Sequence, residues 1–180
     1  MADTPLTAYL LSLSTTTKPF TRATTHPFLT QAGAGTLPSS TLTQWLVQDI
    51  HYTRGYLRFI GGLLSQLRLP VSIKKHHSSS STEAEETKNL HHRIFDLLLS
   101  ALNNIQREMQ FFEDTAAQYG LELNMDAEME PVTRSYVQMF DAVKLGGGSG
   151  GLVEGLTVLW ATEHVIPRRT TLKLSVFSAD

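Results

Sequence analysis

The sequence contains no cysteine, and this absence excludes disulfide bonds, thiolate metal sites and a cysteine nucleophile. A chain without cysteine suits a reducing compartment, and we expect a cytoplasmic protein. No apolar run approaches the roughly 20 residues that a membrane-spanning helix needs. The N-terminal apolar stretch has no positive charge ahead of it, so we also expect no signal peptide.

Charge is also scarce, because only 18% of the residues are charged and the net charge is −2. A chain without a basic field offers no general attraction for polyanions, so we expect neither a nucleic-acid nor a membrane partner. With 41% hydrophobic residues among 180, the chain is long enough to bury a substantial core. We therefore predict one domain over residues 1–180.

What the chain does have is apolar residues spaced three and four apart, which is the pattern of amphipathic helices. No alternation of strands and helices and no internal repeat accompanies them, so the prediction is an all-α helical bundle built from long hairpins. The predicted helices cover residues 5–13, 20–26, 27–32, 42–69, 83–119, 131–144 and 152–166.

The segments between these helices are rich in serine, threonine, glycine or acidic residues. We expect residues 14–17 to break the first helix, residues 70–87 to contain a mobile linker and residues 121–130 to form an acidic loop. The glycine-rich stretch 146–151 is predicted to be a flexible connector, and Pro167 to stop the last helix. The tail, residues 167–180, alternates like a strand but has no evident partner strand.

The long helix predicted over residues 42–69 carries an acid on its apolar side. Asp49 shares that side with Tyr52 and Tyr56, because the spacings of three and four place them on one helix face. A carboxylate there requires a hydrogen-bonding partner or must become protonated. It either binds a ligand between aromatic walls or is satisfied by a neighbouring helix.

Two further acids lie on or beside apolar helix faces. Glu163 shares a face with Leu159 and Trp160, and two such acids on two helices suggest a pocket in the bundle core. Glu108 borders the apolar stripe of the helix predicted over 83–119. We expect a solvated position for Glu108.

The histidines give no metal-binding pattern. His76-His77 and His91-His92 are adjacent pairs, which do not share a helix face, and no Glu-x-x-His motif of a di-iron site occurs. We expect no metal and no cofactor, an exposed His51 facing away from Asp49, and His26 in a loop or cap. These patterns also argue against a metal- or haem-dependent helical oxygenase.

Several short motifs occur together in an order that is quite specific. They are His26-Pro27-Phe28, Gly35-Thr36-Leu37-Pro38, Gln48-Asp49 with Tyr52, Glu108 with Gly120-Leu121, and Pro131-x-Thr133-x-x-Tyr136. Over about residues 18–166 the chain resembles the TenA (thiaminase II) family. Glu163 stands where members have a catalytic Cys or Glu, so the chain is similar to the Glu-type branch.

The resemblance implies a heme-oxygenase-like fold and a hydrolase of thiamin pyrimidine salvage. Its substrates would be amino- or formylamino-pyrimidines from degraded thiamin, converted without a cofactor. The resemblance implies that Asp49 binds the aminopyrimidine and that Glu163 is catalytic. It also implies that Tyr52 and Tyr136 line or stack on the pyrimidine ring, and that Tyr56 is a further substrate-binding residue. A planar aminopyrimidine is suited to π-faces and a carboxylate.

Two features depart from the family pattern. Ile166 stands where members usually have a tyrosine, and members continue for one or two further helices that carry another acid. The resemblance thus implies a C-terminally shortened chain with a divergent tail over residues 167–180. The alternative is a non-catalytic relative that binds a small heteroaromatic ligand or serves as an assembly subunit. An open bundle would cover its apolar surface in a homo-oligomer, a dimer or a tetramer.

Overall fold

Seven α-helices make up the computed structural model, which describes residues 5–68, 82–144 and 149–176. They are α1 (Leu6–Ser12), α2 (Ser14–Thr24), α3 (Pro27–Gly33), α4 (Ser39–Ser65), α5 (Thr82–Tyr119), α6 (Pro131–Lys144) and α7 (Ser149–Val176). No strand occurs in those ranges, so the all-α prediction is confirmed there.

The chain divides into two compact units. The terminal unit combines Met1–Thr41 with Thr157–Asp180, and the central unit is Leu42–Leu156. Helices α4 and α7 therefore each contribute residues to both units. The prediction of one domain over residues 1–180 stays a prediction.

Proline and glycine set several helix ends where the sequence predicted them. Helix α3 begins at Pro27 and α6 at Pro131, and His26 caps α3 because its Nδ1 accepts a hydrogen bond from the Phe28 amide at 3.2 Å. Helix α5 ends before Gly120, whose φ of +60° suits glycine, and the Leu121 amide donates back to Ala116 O at 2.8 Å.

Helix α1 ends at Ser12, so the predicted break after it is present, but residues 14–17 are not irregular. They form the first turn of α2 instead, although Pro19 lies inside this helix. Threonine hydroxyls donate to carbonyls four residues back, Thr17 to Leu13 at 3.0 Å and Thr21 to Thr17 at 2.9 Å. These bonds give the threonine hydroxyls partners within the helix.

The C-terminal helix extends further at both ends than the sequence predicted. Helix α7 starts at Ser149, inside the predicted glycine connector, and runs through Pro167 to Val176, so the predicted stop and the strand-like tail are wrong. A proline inside a helix costs one backbone hydrogen bond and some bending but does not always end it. Residues 145–148 and 177–180 lie outside the described residues.

Helix α4 ends at Ser65 rather than near residue 69, because its last turn tightens into bonds of the i to i+3 type. The Gln66 amide donates to Leu63 O at 3.1 Å and the Leu67 amide to Leu64 O at 3.2 Å. Of the linker predicted over 70–87, residues 82–87 already belong to α5, and residues 69–81 lie outside the described part.

The apolar stripe of α5 is largely buried, as its spacing predicted. The buried members are Ile94, Leu98, Ala101, Ile105 and Phe112. Two apolar residues with the same spacings of three and four are exposed instead, Leu97 at 52% and Met109 at 41%. Across the described residues no helix combines the length and apolarity needed to cross a membrane.

Candidate functional site

Five aromatic rings from α4 and α6 meet within the central unit and form what we call the aromatic cluster. Its members are Tyr52, Tyr56, Phe59, Tyr136 and Phe140. The ring of Tyr52 contacts those of Tyr136 and Phe140 at centroid distances of 5.5 and 5.4 Å, both edge to face. Phe59 stacks on Phe140 at 5.0 Å. These geometries are those that aromatic quadrupoles prefer.

The aromatic cluster has a sealed interior and an accessible edge. Phe59 and Phe140 are fully buried and Tyr56 is 1% exposed, whereas Tyr52 is half-buried and Tyr136 is 41% exposed. The accessible edge therefore consists of Tyr52 and Tyr136. Tyr56 lies behind this edge, with its ring 5.9 Å from that of Tyr52.

Asp49 precedes Tyr52 by almost one turn on the same face of α4, and it is half-buried. Its backbone carbonyl accepts a hydrogen bond from the buried hydroxyl of Thr53 at 2.7 Å. A carboxylate one turn from an accessible aromatic edge combines an acceptor with π-surface. That combination suits a flat, nitrogen-rich heterocycle.

A close backbone approach sets the contact between α4 and α6. A Cβ atom built on Gly55 would lie 2.8 Å from Val137 Cγ2 and 3.6 Å from Phe140 Cδ2. Only glycine fits there without a shift of α6 or a change in the Val137 rotamer. The glycine pair Gly61-Gly62 in the same helix is typical of a kink or a close helix approach, but a Cβ on Gly61 would meet nothing within 4 Å.

A second contact joins α4 to the loop before α6, and we call it the polar clamp. It comprises Gln44, Gln48 and His51. Gln48 donates to Glu128 O at 2.9 Å and accepts from the Glu130 amide at 2.8 Å. Gln44 donates to the Glu130 carboxylate, and His51 Nε2 lies 2.9 Å from a backbone carbonyl of the loop. The predicted acidic loop 121–130 is confirmed, and it is held to α4.

His51 differs from its prediction, which placed it in solvent. It is half-buried, and its Nε2 carries the proton, because the contact at 2.9 Å is with Ala127 O and a carbonyl can only accept. His91 is also engaged, since its Nδ1 accepts from the Arg68 amide at 3.3 Å. Glu108, expected on a solvated face, is half-buried. His76-His77 lie outside the described residues.

Glu163 belongs to the terminal unit, where it is half-buried on α7. The next residue, His164, stacks on Phe20 of α2 and on Trp160 of α7, with ring centroids 5.6 and 5.3 Å away. The preceding Thr162 donates its hydroxyl to Val158 O and Leu159 O, both at 3.0 Å. The positions flanking Glu163 are thus fixed by stacking and hydrogen bonding.

The structure brings together part of the predicted site. Tyr52, Tyr56 and Tyr136 share one cluster, with Asp49 on the same helix face of the central unit, whereas Glu163 lies in the terminal unit. Sequence reasoning missed the polar clamp, although Gln48 was part of a recognised motif. Among the described residues no group of three or more metal-ligating side chains occurs.

Comparison with known proteins identifies the family. The model of the TENA/THI-4/PQQC family matches residues 17–174 of this chain. The chain belongs to the TENA/THI-4/PQQC family. The match extends beyond residue 166, where the sequence resemblance was expected to end, and covers most of the tail expected to diverge. Membership in this family supports a heme-oxygenase-like, all-α fold.

One similar protein comes from the fungus Fusarium pseudograminearum (strain CS3096) and bears the name "Probable transcription factor". It is 36% identical to this TENA/THI-4/PQQC member over 143 residues. The match covers 79% of this chain but 26% of that protein. The chain therefore spans about a quarter of the length of that relative.

Proposed function

We propose that this chain is a hydrolase of thiamin pyrimidine salvage, of the Glu-type branch, acting on amino- or formylamino-pyrimidine breakdown products of thiamin. The observation that carries the proposal is the accessible edge of Tyr52 and Tyr136, whose rings meet at 5.5 Å, on the helix face that also bears Asp49. Family membership supports a function connected with thiamin in general.

In this proposal the substrate ring rests on the accessible edge. Tyr136, with 41% of its surface exposed, has contact area for a planar ligand, and Tyr52 supports it from α4. The Asp49 carboxylate accepts hydrogen bonds from the amidine edge of the pyrimidine, and hydrogen bonds to a charged group are the stronger ones. Tyr56 forms the inner wall behind Tyr52.

Glu163 carries the chemistry in this proposal. Its carboxylate accepts a proton from water as the water oxygen bonds to the carbon under attack, and the proton passes to the amine that leaves when the C–N bond breaks. General acid–base catalysis of this kind contributes about 10²- to 10⁴-fold to a rate. The half-burial of Glu163 and the packing of its neighbour His164 favour a defined carboxylate position.

Chromatography of pyrimidine products tests the proposal. The purified chain is incubated with aminomethyl- and formylaminomethyl-pyrimidine, and formation of the hydrolysis product is followed over time. We expect Glu163→Gln to lose at least about a hundredfold in rate. Glu113→Gln, an exposed acid on α5, is the matched control. A Glu163→Gln variant that keeps the original rate would make the catalytic assignment wrong.

The name of the Fusarium relative favours a second candidate, a ligand-binding module without catalysis. In this candidate the chain binds a small heteroaromatic molecule and does not convert it. Ile166, in place of the usual family tyrosine, also suits this candidate. Pyrimidine binding that depends on Asp49, without product formation, would favour the module over the hydrolase.

We also propose that the chain forms a homo-oligomer, a dimer or a tetramer. Helix α5 exposes several large apolar side chains, namely Leu90, Leu97, Leu99 and Met109. Association would remove this surface from water. Light scattering on the eluting protein should give a mass of at least two chains, and a stable monomer at micromolar concentration would contradict the proposal.

A further inference from the structure

The polar clamp acts on the segment that leads into α6. The side-chain amide of Gln48 forms hydrogen bonds with two backbone groups of the loop. It donates to Glu128 O and accepts from the backbone N–H of Glu130. Glu130 is the last residue before α6, and its carbonyl accepts the first helical bond, from the Arg134 amide at 2.9 Å. Gln48 therefore holds the residue on which α6 starts.

The first part of α6 has few other anchors. Its buried apolar side chains, Val137, Phe140 and Val143, all lie beyond its first turn, and Val132 is 68% exposed. Thr133 is the one buried side chain described in the first turn. Two side chains of the polar clamp, Gln44 and Gln48, form hydrogen bonds with Glu130. Hydrogen bonds, more than apolar packing, therefore attach the start of α6 to α4.

The same region of α6 carries Tyr136. This residue is six positions after Glu130, about 9 Å along the helix at 1.5 Å per residue. Its ring meets Tyr52, which follows Gln48 by one turn on α4. The polar clamp and the Tyr52–Tyr136 contact are thus two neighbouring attachments between the same two helices.

We propose that Gln48, supported by Gln44 and His51, is a positioning residue that fixes the start of α6 and thereby the placement of Tyr136 against Tyr52. The consequence for ligand binding rests on the proposed function, because it requires the accessible edge to be the ligand wall. Gln48 touches no ligand in this account and acts through Tyr136.

Hydrogen exchange and fluorine NMR test the positioning without any ligand. The chain has five tyrosines, so 3-fluorotyrosine labelling gives five resonances, and Tyr136→Phe assigns the one that matters. Gln48→Ala should speed exchange of the Glu130 amide about tenfold, as expected for loss of its hydrogen bond, and should shift the Tyr136 resonance. Gln106→Ala, an exposed glutamine on α5, should change neither.

The conservative variant Gln48→Glu separates the two bonds of this side chain. It keeps an acceptor for the Glu130 amide and loses the donor to Glu128 O, so Glu130 exchange should stay slow. The positioning role would be overturned if Gln48→Ala left both the Glu130 amide exchange rate and the Tyr136 resonance as they are in the original protein. Equal effects of Gln48→Ala and Gln106→Ala would overturn it as well.

Calorimetry with hydroxymethylpyrimidine then tests the consequence. Gln48→Ala should weaken binding about tenfold, and should add no further loss in a Tyr136→Ala background. Additive losses would overturn the connection through Tyr136. If the original protein binds no pyrimidine, the proposed function fails, while the exchange and NMR results still decide whether Gln48 positions α6.

Discussion

Gly55 is where α4 and α6 come closest, and replacing it with alanine should destabilise the protein. The new Cβ would lie 2.8 Å from Val137 Cγ2, about 0.8 Å inside the separation of roughly 3.6 Å at which carbon atoms attract each other. Val137 cannot easily turn away, because a β-branched side chain in a helix has one strongly preferred rotamer. Either α6 shifts or Val137 leaves that rotamer.

Two opposing terms set the magnitude. Alanine favours a helix over glycine by about 1 kcal/mol. Overpacking of a well-filled contact costs about 1–3 kcal/mol. We expect Gly55→Ala to lower the free energy of unfolding by up to about 2 kcal/mol, the difference between these terms.

Gly61→Ala is the matched control in the same helix, since its Cβ would meet nothing within 4 Å. It keeps the gain in helix propensity without the clash, so it should stabilise the protein by about 1 kcal/mol. Urea unfolding of both variants measures the difference, for which we expect about 1–3 kcal/mol. Adding Val137→Ala should relieve part of the Gly55→Ala cost. Equal stabilisation by both glycine replacements would refute the close approach.

Two other perturbations test the packing inside each of the two units. Phe140→Leu removes a fully buried ring that contacts Tyr52 and Phe59. Urea unfolding should show that the free energy of unfolding falls by about 1–2 kcal/mol. An unchanged free energy of unfolding would contradict the packing of the aromatic cluster. His164→Ala removes the ring stacked on Trp160, so the emission of that indole should shift in a Trp45→Phe background, whereas His164→Phe should preserve it. An emission spectrum unchanged in His164→Ala would argue against the stack.

Sequence patterns predicted the fold well where local chemistry decides it. Pro27 and Pro131 each begin a helix, because an amide hydrogen at the first helical position would have no acceptor within the helix and proline lacks one. Helix α5 ends before Gly120, because the positive φ at that position suits glycine. Pro167 shows the limit of such signals. The local sequence does not distinguish a proline inside a helix from a proline that ends one. At Pro167 the helix continues.

The central-unit half of the candidate site was predictable for a similar reason. Spacings of three and four place Asp49, Tyr52 and Tyr56 on one face of α4 whatever the rest of the chain does. The polar clamp was not predictable, because Gln48 and Glu130 are 82 residues apart and no pattern along the chain connects them. The special role of Gly55 likewise depends on another helix.

We propose that Asp49 and the accessible edge of the aromatic cluster together bind a pyrimidine. Titration calorimetry with hydroxymethylpyrimidine tests it most directly, comparing the original protein with Asp49→Ala and with Asp96→Ala, an exposed acid on α5 that serves as control. Loss of a hydrogen bond to a charged group should weaken binding about 10- to 100-fold in Asp49→Ala and leave Asp96→Ala unchanged. No binding heat in the original protein, or equal affinity in Asp49→Ala, would contradict the account.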